Sequence, residues 1–454
     1  MSAQESIREV SSLLTRFEMS SEELVRRDLG RAQALSDLNA FISLLPDEAI
    51  AEARRLDGMR RRGEVLGPLH GIPITAKDLV WSKGHKTTSG SKIDADFVPD
   101  RDAPALASLR ARGAVLLGKT NLHEFAYGVS NVNPHYGAAR NPWDRTRISG
   151  GSSGGSAVAL ASGIGFGSIG TDTGGSIRIP SSLCGVVGLK PTYGRISRDA
   201  VTPLSWSLDH VGPMARTVED VALLYEAMSG EPVETRETAE SSPLRGLKVG
   251  LHQSYFFWNL SPAVEASVRA AITALESLGA SIVEIDVPEI ELQGACRNTI
   301  AFAEASCYHE KNIRTRPQDY GEDTRDLLRL GLLVPATDYL AALRARRIVF
   351  REFRKAFEAI DVLAAPSTPA PAPPIGAAVL DNGEELRSGL LRLAGPFNTC
   401  GFPALSLPCG FTESGLPIGL QLAAAPRRES LLLRVARAFE IQSGQSSLGR
   451  SPAV

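Results

Sequence analysis

The first sixty residues carry apolar positions at helical spacing. Ile7, Val10, Leu13 and Leu14 fall on one face, and Ser20-Ser21-Glu22-Glu23 reads as a helix start. Residues 1–62 are therefore predicted to be a helical segment packed on the rest of the chain. From Gly67 the pattern switches to short apolar strands alternating with helices. Ile72 to Ala76 reads as a strand, Ala103 to Arg112 as a helix and Ala114 to Leu117 as a strand. Lys248 to Leu251, a helix from Pro262 to Leu278, and Ile282 to Ile285 repeat that unit. Such alternation predicts an α/β fold with a mostly parallel sheet. Residues 230–246 read as a surface loop and Ala364 to Pro374 as an extended, turn-rich passage. No internal repeat is present.

Composition narrows the function classes. The 454 residues are 43% hydrophobic and 22% charged, enough to bury a large core. Lys+Arg 49 against Asp+Glu 51 gives a formal charge of −2, which supplies no basic field for nucleic acid or an anionic membrane. No run reaches the ~18 apolar residues of a membrane span. The N-terminal MSAQESIREV is polar and acidic, unlike a secretory signal, so a cytoplasmic protein is expected. Cys184, Cys296, Cys307, Cys400 and Cys409 are dispersed, with no C-x-x-C pair. They predict free thiols, with neither a disulfide framework nor a zinc ribbon.

Glycine is the informative residue. Thirteen of the 42 lie between Gly150 and Gly194, where even spreading would put about four. Two short motifs nearby match known patterns and fail on context. Gly113-Ala-Val-Leu-Leu-Gly118-Lys119-Thr120 fits the phosphate-loop spacing, yet its middle residues are a strand candidate rather than a loop. Gly150 to Gly155 fits G-x-S-x-G, but the polar, Pro-containing approach Asn141 to Arg147 is not the strand a nucleophile elbow requires. What remains is two Gly-Gly-Ser loops, Gly150 to Ser156 and Gly174 to Ser176, flanking a small-residue helix. A glycine-rich loop ending at a serine offers bare N–H groups beside a hydroxyl, the makings of an oxyanion hole next to a nucleophile.

A serine needs a base, and none of the seven histidines sits in a motif that names it. Lys77, at the end of an apolar strand, is the alternative. Only nine of the 49 basic residues are lysine. Arginine keeps its proton, whereas a buried lysine can be brought toward ~7–8 and act as a base.

With these residues in hand, the chain resembles the amidase signature family. The resemblance rests on Leu69 to Asp78, Gly118-Lys-Thr-Asn121, Gly150 to Pro180 and onward to Thr192, Asn398 to Gly410, and Gly415 to Gln421. It implies a single domain over 1–454, with a signature core at 150–194 and a large mixed, mostly parallel sheet covered by helices on both faces. It further implies Ser176 as nucleophile, Ser152 as bridging serine after a cis Gly151–Ser152 peptide, and Lys77 as base. The backbone N–H groups of Thr173, Gly174 and Gly175 would hold the oxyanion. Ser153, Asp172 and Arg178 are expected to support the loop, the last two as a pair. No metal or cofactor is implied.

In this family the pocket walls follow Gly-Lys-Thr-Asn, here Phe125, Ala126, Tyr127, Gly128 and Val129, while residues 295–340 are expected to cap the site. Those side chains predict a mainly apolar or aromatic small-molecule amide, carbamate (urethane) or aryl ester as substrate, for a monomer or homodimer. At the level of phrase, Gly188 to Ser197 and Ser207 to Pro213 resemble the glutaminase component of tRNA-dependent amidotransferases, which releases ammonia from glutamine. That component carries paired arginines before a Leu-Gly, where this chain has Arg325-Asp-Leu-Leu-Arg-Leu-Gly331. The departure favours a stand-alone amidase, the alternative being the glutaminase component of such an amidotransferase.

Overall fold

The computed structural model describes residues 5–233, 242–444 and 452. The first residues of the polar N-terminus and the middle of the predicted 230–246 loop lie outside them. Helices α1 (Ile7–Thr15), α2 (Ser21–Ala34) and α3 (Pro46–Arg61) account for most of the N-terminal segment. Reciprocal capping boxes start the first two, Ser6 with Glu9 and Ser20 with Glu23. The all-helical expectation fails between α2 and α3, where Phe41–Leu44 forms strand β1. A four-residue segment, Phe-Ile-Ser-Leu, is too short for periodicity to separate strand from helix.

The predicted alternating units appear as strand β2 (Pro73–Lys77), helix α4 (Pro104–Ala111) and strand β3 (Val115–Thr120). Helix α5 (Gly154–Ala161), β4 (Gly167–Asp172), α6 (Arg178–Cys184), β5 (Val187–Lys190) and β6 (His210–Ala215) follow. The second half contributes β7 (Lys248–Leu251), α7 (Pro262–Ser277), β8 (Ser281–Glu284), α8 (Leu292–Thr315), α9 (Glu322–Gly331), α10 (Ala336–Ala356), β9 (Val362–Pro366), α11 (Leu386–Ala394), β10 (Ala404–Phe411) and β11 (Pro417–Ala424). The passage from Ala364 thus begins inside a buried strand, because Val362 to Ala365 is an apolar run that the following prolines mask.

Eleven strands form one mixed sheet in the order β1-β3-β2-β4-β6-β5-β10-β11-β9-β7-β8. Parallel pairing joins β3-β2-β4 at one side and β9-β7-β8 at the other. The strands between them pair antiparallel, an arrangement the βαβ pattern alone does not reveal. Successive residues of a strand face opposite sides. On β3, Val115 and Leu117 join a layer with α2, α3 and the Ala157–Leu160 part of α5, while Leu116 joins the larger cluster on the other face. The five cysteines are free thiols. Among the described residues, no helix is long and apolar enough to cross a membrane.

The rejected phosphate-loop lysine has a structural role. Lys119 lies on β3, fully buried, with Nζ 2.7 Å from Val80 O, 2.9 Å from Thr87 Oγ1 and 3.2 Å from Asp78 Oδ1. Removing one partner of a buried pair strands the other charge, so Lys119→Met is expected to cost about 3–5 kcal/mol. Urea denaturation measures this, and a loss below about 1 kcal/mol would show that the pair contributes only as a surface pair would.

Candidate active site

β2 and β4 are parallel neighbours, with Ala76 registered on Ile169. Their C-terminal ends therefore deliver Lys77 and Thr171-Asp172 to one edge of the sheet, where open α/β sheets place their ligands. Lys77 is completely buried, its Nζ 2.7 Å from Ser152 Oγ and 2.9 Å from Thr171 Oγ1. Ser152 precedes α5, and the Gly151–Ser152 peptide is cis. The two serine loops are tied together by the Ser153 N–H, which donates to Ser176 O at 3.1 Å, and by Ser153 Oγ, which donates to Thr171 O at 3.1 Å. Among the described residues no hydrogen bond joins the Ser152 and Ser176 hydroxyls. Ser176 instead faces a pocket. At Gly155 a Cβ would stand 2.5 Å from Ala40 O and from the Asn121 backbone, so only glycine lets α5 start this close to its neighbours.

The loop from Asp172 to Arg178 is held by a buried ion pair. Arg178 Nη2 donates to Asp172 Oδ1 at 2.9 Å and Nε to Oδ2 at 3.1 Å, with both side chains fully buried. Asp172 also accepts from the Gly175 N–H (2.8 Å) and the Ile177 N–H (3.1 Å). Arg178 reaches Ala394 O, Gln421 Oε1 and Asn398 Oδ1 at 2.8, 2.7 and 2.6 Å. Burial alone would raise the Asp172 pKa, but the Arg178 guanidinium, the Lys190 charge and the Asn398 hydrogen bond together outweigh it and hold the carboxyl well below its usual range. One expectation needs correction here. The Gly175 N–H is already engaged by Asp172, whereas the Thr173 and Gly174 N–H groups have no hydrogen-bond partner among the described residues. Gly175 has φ +134°, and a Cβ there would stand 2.7 Å from both Ala394 and Ile179, so its glycine serves the turn.

Burial pulls the Lys77 pKa down to about 7, against the opposing charges of Asp172 and Asp209. Thr171, Asn398 and Gln421 are site residues that sequence reasoning left without a role. All three lay inside the quoted family blocks, and the spacing alone gave no sign that they converge.

The pocket beside Ser176 is lined by Ala126, Tyr127, Gly128 and Val129, by Thr173 and Gly174, and by Arg297, Asn298, Ala301, Leu204, Arg387 and Leu391. Phe125 is not among them. It is buried in the core, 4.2 Å from the His309 ring and 5.8 Å from that of Tyr320. Of the predicted 295–340 cap, only the first turns of α8 reach the pocket, while Tyr308, Leu330, Leu332, Leu333 and Leu340 are exposed at the surface. The expectation of an apolar wall is also incomplete, because it missed Arg297 and Arg387. Nothing in the local sequence marks these two among 40 arginines.

The amidase family profile matches residues 23–433 of the chain. The chain belongs to the amidase signature family. It is 40% identical to the A component of the glutamyl-tRNA(Gln) amidotransferase of Moorella thermoacetica, over 95% of each chain. A solved amidase superposes with a TM-score of 0.91 at 37% identity, covering 97% of this chain and all of that one. The peptide amidase of Stenotrophomonas maltophilia gives 0.85 at 31% identity, covering 98% of each. The enzyme is thus an amide-cleaving hydrolase on the family fold.

In this amidase, the Asp172→Asn, Arg178→Gln double variant is expected to fold, since the lost charges leave together, yet to reduce turnover by about 100-fold or more through misplacement of the Ser176 loop. Amide hydrolysis by variant protein with native circular dichroism checks this. Retained turnover would remove the supporting role.

Proposed function

We propose that the chain cleaves amide C–N bonds through a Lys77-Ser152-Ser176 relay and an acyl-enzyme. The observation that carries this reading is a fully buried lysine, its pKa lowered to about 7, with Nζ 2.7 Å from Ser152 Oγ. Neutral Lys77 accepts the Ser152 proton as Ser152 accepts that of Ser176, and Ser176 Oγ bonds to the substrate carbonyl carbon. The carbonyl π electrons move to oxygen, held by the Thr173 and Gly174 N–H groups. Collapse of this intermediate breaks the C–N bond, and the relayed proton goes to the leaving amine. Water then attacks the acyl-enzyme by the same route and restores Ser176. Carbamates and aryl esters offer the same carbonyl.

The curated relatives favour one setting for this chemistry, the glutaminase component of a tRNA-dependent amidotransferase, over a stand-alone enzyme with an apolar substrate. The main sequence argument against glutamine was the altered Arg325–Gly331 segment. That argument is weakened, because none of the described residues lining the Ser176 pocket comes from α9. Solved relatives named as amidases support the stand-alone setting. Ammonia release from glutamine, with partner chains copurifying, decides for the amidotransferase; turnover of simple amides by the lone chain, with glutamine inert, decides for the stand-alone enzyme.

Two outcomes test the relay. A fluorophosphonate is expected to label Ser176, with labelling abolished in Ser176→Ala, and Lys77→Met should lower kcat/KM by about 10²–10⁴-fold. Because Lys77 accepts a proton only when neutral, kcat/KM should rise with pH through a midpoint near 7 and level off above it. A profile that falls across about pH 6–8 would sink Lys77 as the base.

A further inference from the structure

Two guanidiniums converge on the Ser176 pocket from separate elements, Arg297 from α8 and Arg387 from α11. Arg297 is buried. Its Nη1 donates to Leu391 O and its Nη2 to Asn298 Oδ1, each at 3.1 Å. Arg387 Nη1 donates to Tyr127 O at 3.0 Å, and its guanidinium lies 5.4 Å from the Tyr127 ring centroid. Neither forms an ion pair among the described residues. The two carboxylates near Arg387 are occupied elsewhere. Glu385 caps α11 through the Arg387 and Ser388 N–H groups, and Asp323 Oδ2 lies 2.8 Å from His123 Nε2.

The charges facing Arg297 are cationic. Burial, and then Arg387, push its pKa down to about 10, with Arg178 acting in the same direction. Arg178 is paired with Asp172, and Glu385 and Asp323 offset part of the Arg387 charge without touching it, which leaves Arg297 and Arg387 with no carboxylate in contact among the described residues. A buried charge without a partner is costly, and the cost falls when an anion binds. The site is also within reach of the chemistry. A Cβ on Gly174, one of the two uncommitted oxyanion donors, would stand 3.5 Å from Arg297 Nη1.

We infer that Arg297 and Arg387 form a carboxylate clamp, so that the preferred substrate is a small amide whose acyl portion carries a free carboxylate a few bonds from the scissile carbonyl. The planar guanidinium forks match a carboxylate, and a neutral acyl chain leaves them unpaired. The class includes glutamine and succinamate and runs counter to the apolar acyl group expected from Phe125 to Val129. The inference rests on Ser176 being the nucleophile.

The test compares succinamate with its methyl ester, and glutamine with glutamine methyl ester, by ammonia release from the full-length protein. The acids are expected to exceed the esters in kcat/KM by about 100-fold, the range of hydrogen bonds to charged groups. Arg297→Gln and Arg387→Gln should each lower that acid-to-ester ratio at least about tenfold, chiefly through KM, with partial recovery in Arg297→Lys and Arg387→Lys. Because a variant can fail to fold, a second measurement uses the unaltered protein, in which succinate should slow fluorophosphonate labelling of Ser176 and succinamide should not. Esters turned over as well as acids, or labelling indifferent to succinate, would overturn the clamp while leaving the relay intact. Absence of Ser176 labelling would overturn the relay itself.

Discussion

The architecture of this site depends on one buried ion pair. Asp172 and Arg178 bracket the loop that carries Ser176, and each is saturated by further partners: backbone N–H groups on the aspartate, and Ala394, Asn398 and Gln421 on the arginine. Such pairs contribute less to stability than their Coulomb energy suggests, because both ions lose water. Their value here is geometric. With its side-chain hydrogen bonds fixed on every side, the guanidinium sets where α6 begins, and so where the Ser176 hydroxyl sits relative to Ser152.

Around that neutral pair, the remaining charges are sorted by what burial permits. Among the described residues Lys77 has no carboxylate in direct contact, only hydroxyls, so desolvation wins and its proton becomes removable near neutral pH. Lys119 and Asp78 occupy comparable depth but lie in contact, and the lysine serves to tie β3 to the 78–87 segment. Arginine cannot take the route Lys77 takes, since its proton stays. The removable proton thus sits on a lysine beneath Ser152, while the two guanidiniums that line the Ser176 pocket keep theirs.

The sequence was most readable where chemistry and local pattern coincide. Ser152, Ser176 and Lys77 stand in loops and strand ends whose glycines and apolar runs announce them, and Asp172 and Arg178 are only six positions apart. The βαβ units at Pro73 to Thr120 and Lys248 to Glu284 were legible for the same reason. β1 was not, because Phe41 to Leu44 is too short to show a period. Arg297 and Arg387 were invisible, being ordinary helix residues brought to the Ser176 pocket by packing between elements far apart in the chain. Phe125 misled in the opposite sense. Its position after Gly-Lys-Thr-Asn suggested a wall, but its φ of +49° accompanies a turn into the core.

The span of the Arg178 contacts has a consequence for the newly made chain. Arg178 bonds Asn398 and Gln421 across separations of 220 and 243 residues, and Asn398 itself donates to Asp172. Both serines and Lys77 leave the ribosome long before those partners exist, and N-terminal regions begin to fold first. Until the last two central strands, β10 and β11, are threaded beside β5, the ion pair of the Ser176 loop lacks these outer partners. A nascent or prematurely ended polypeptide consequently holds Lys77, Ser152 and Ser176 while missing the C-terminal contacts that Arg178 makes in the finished fold.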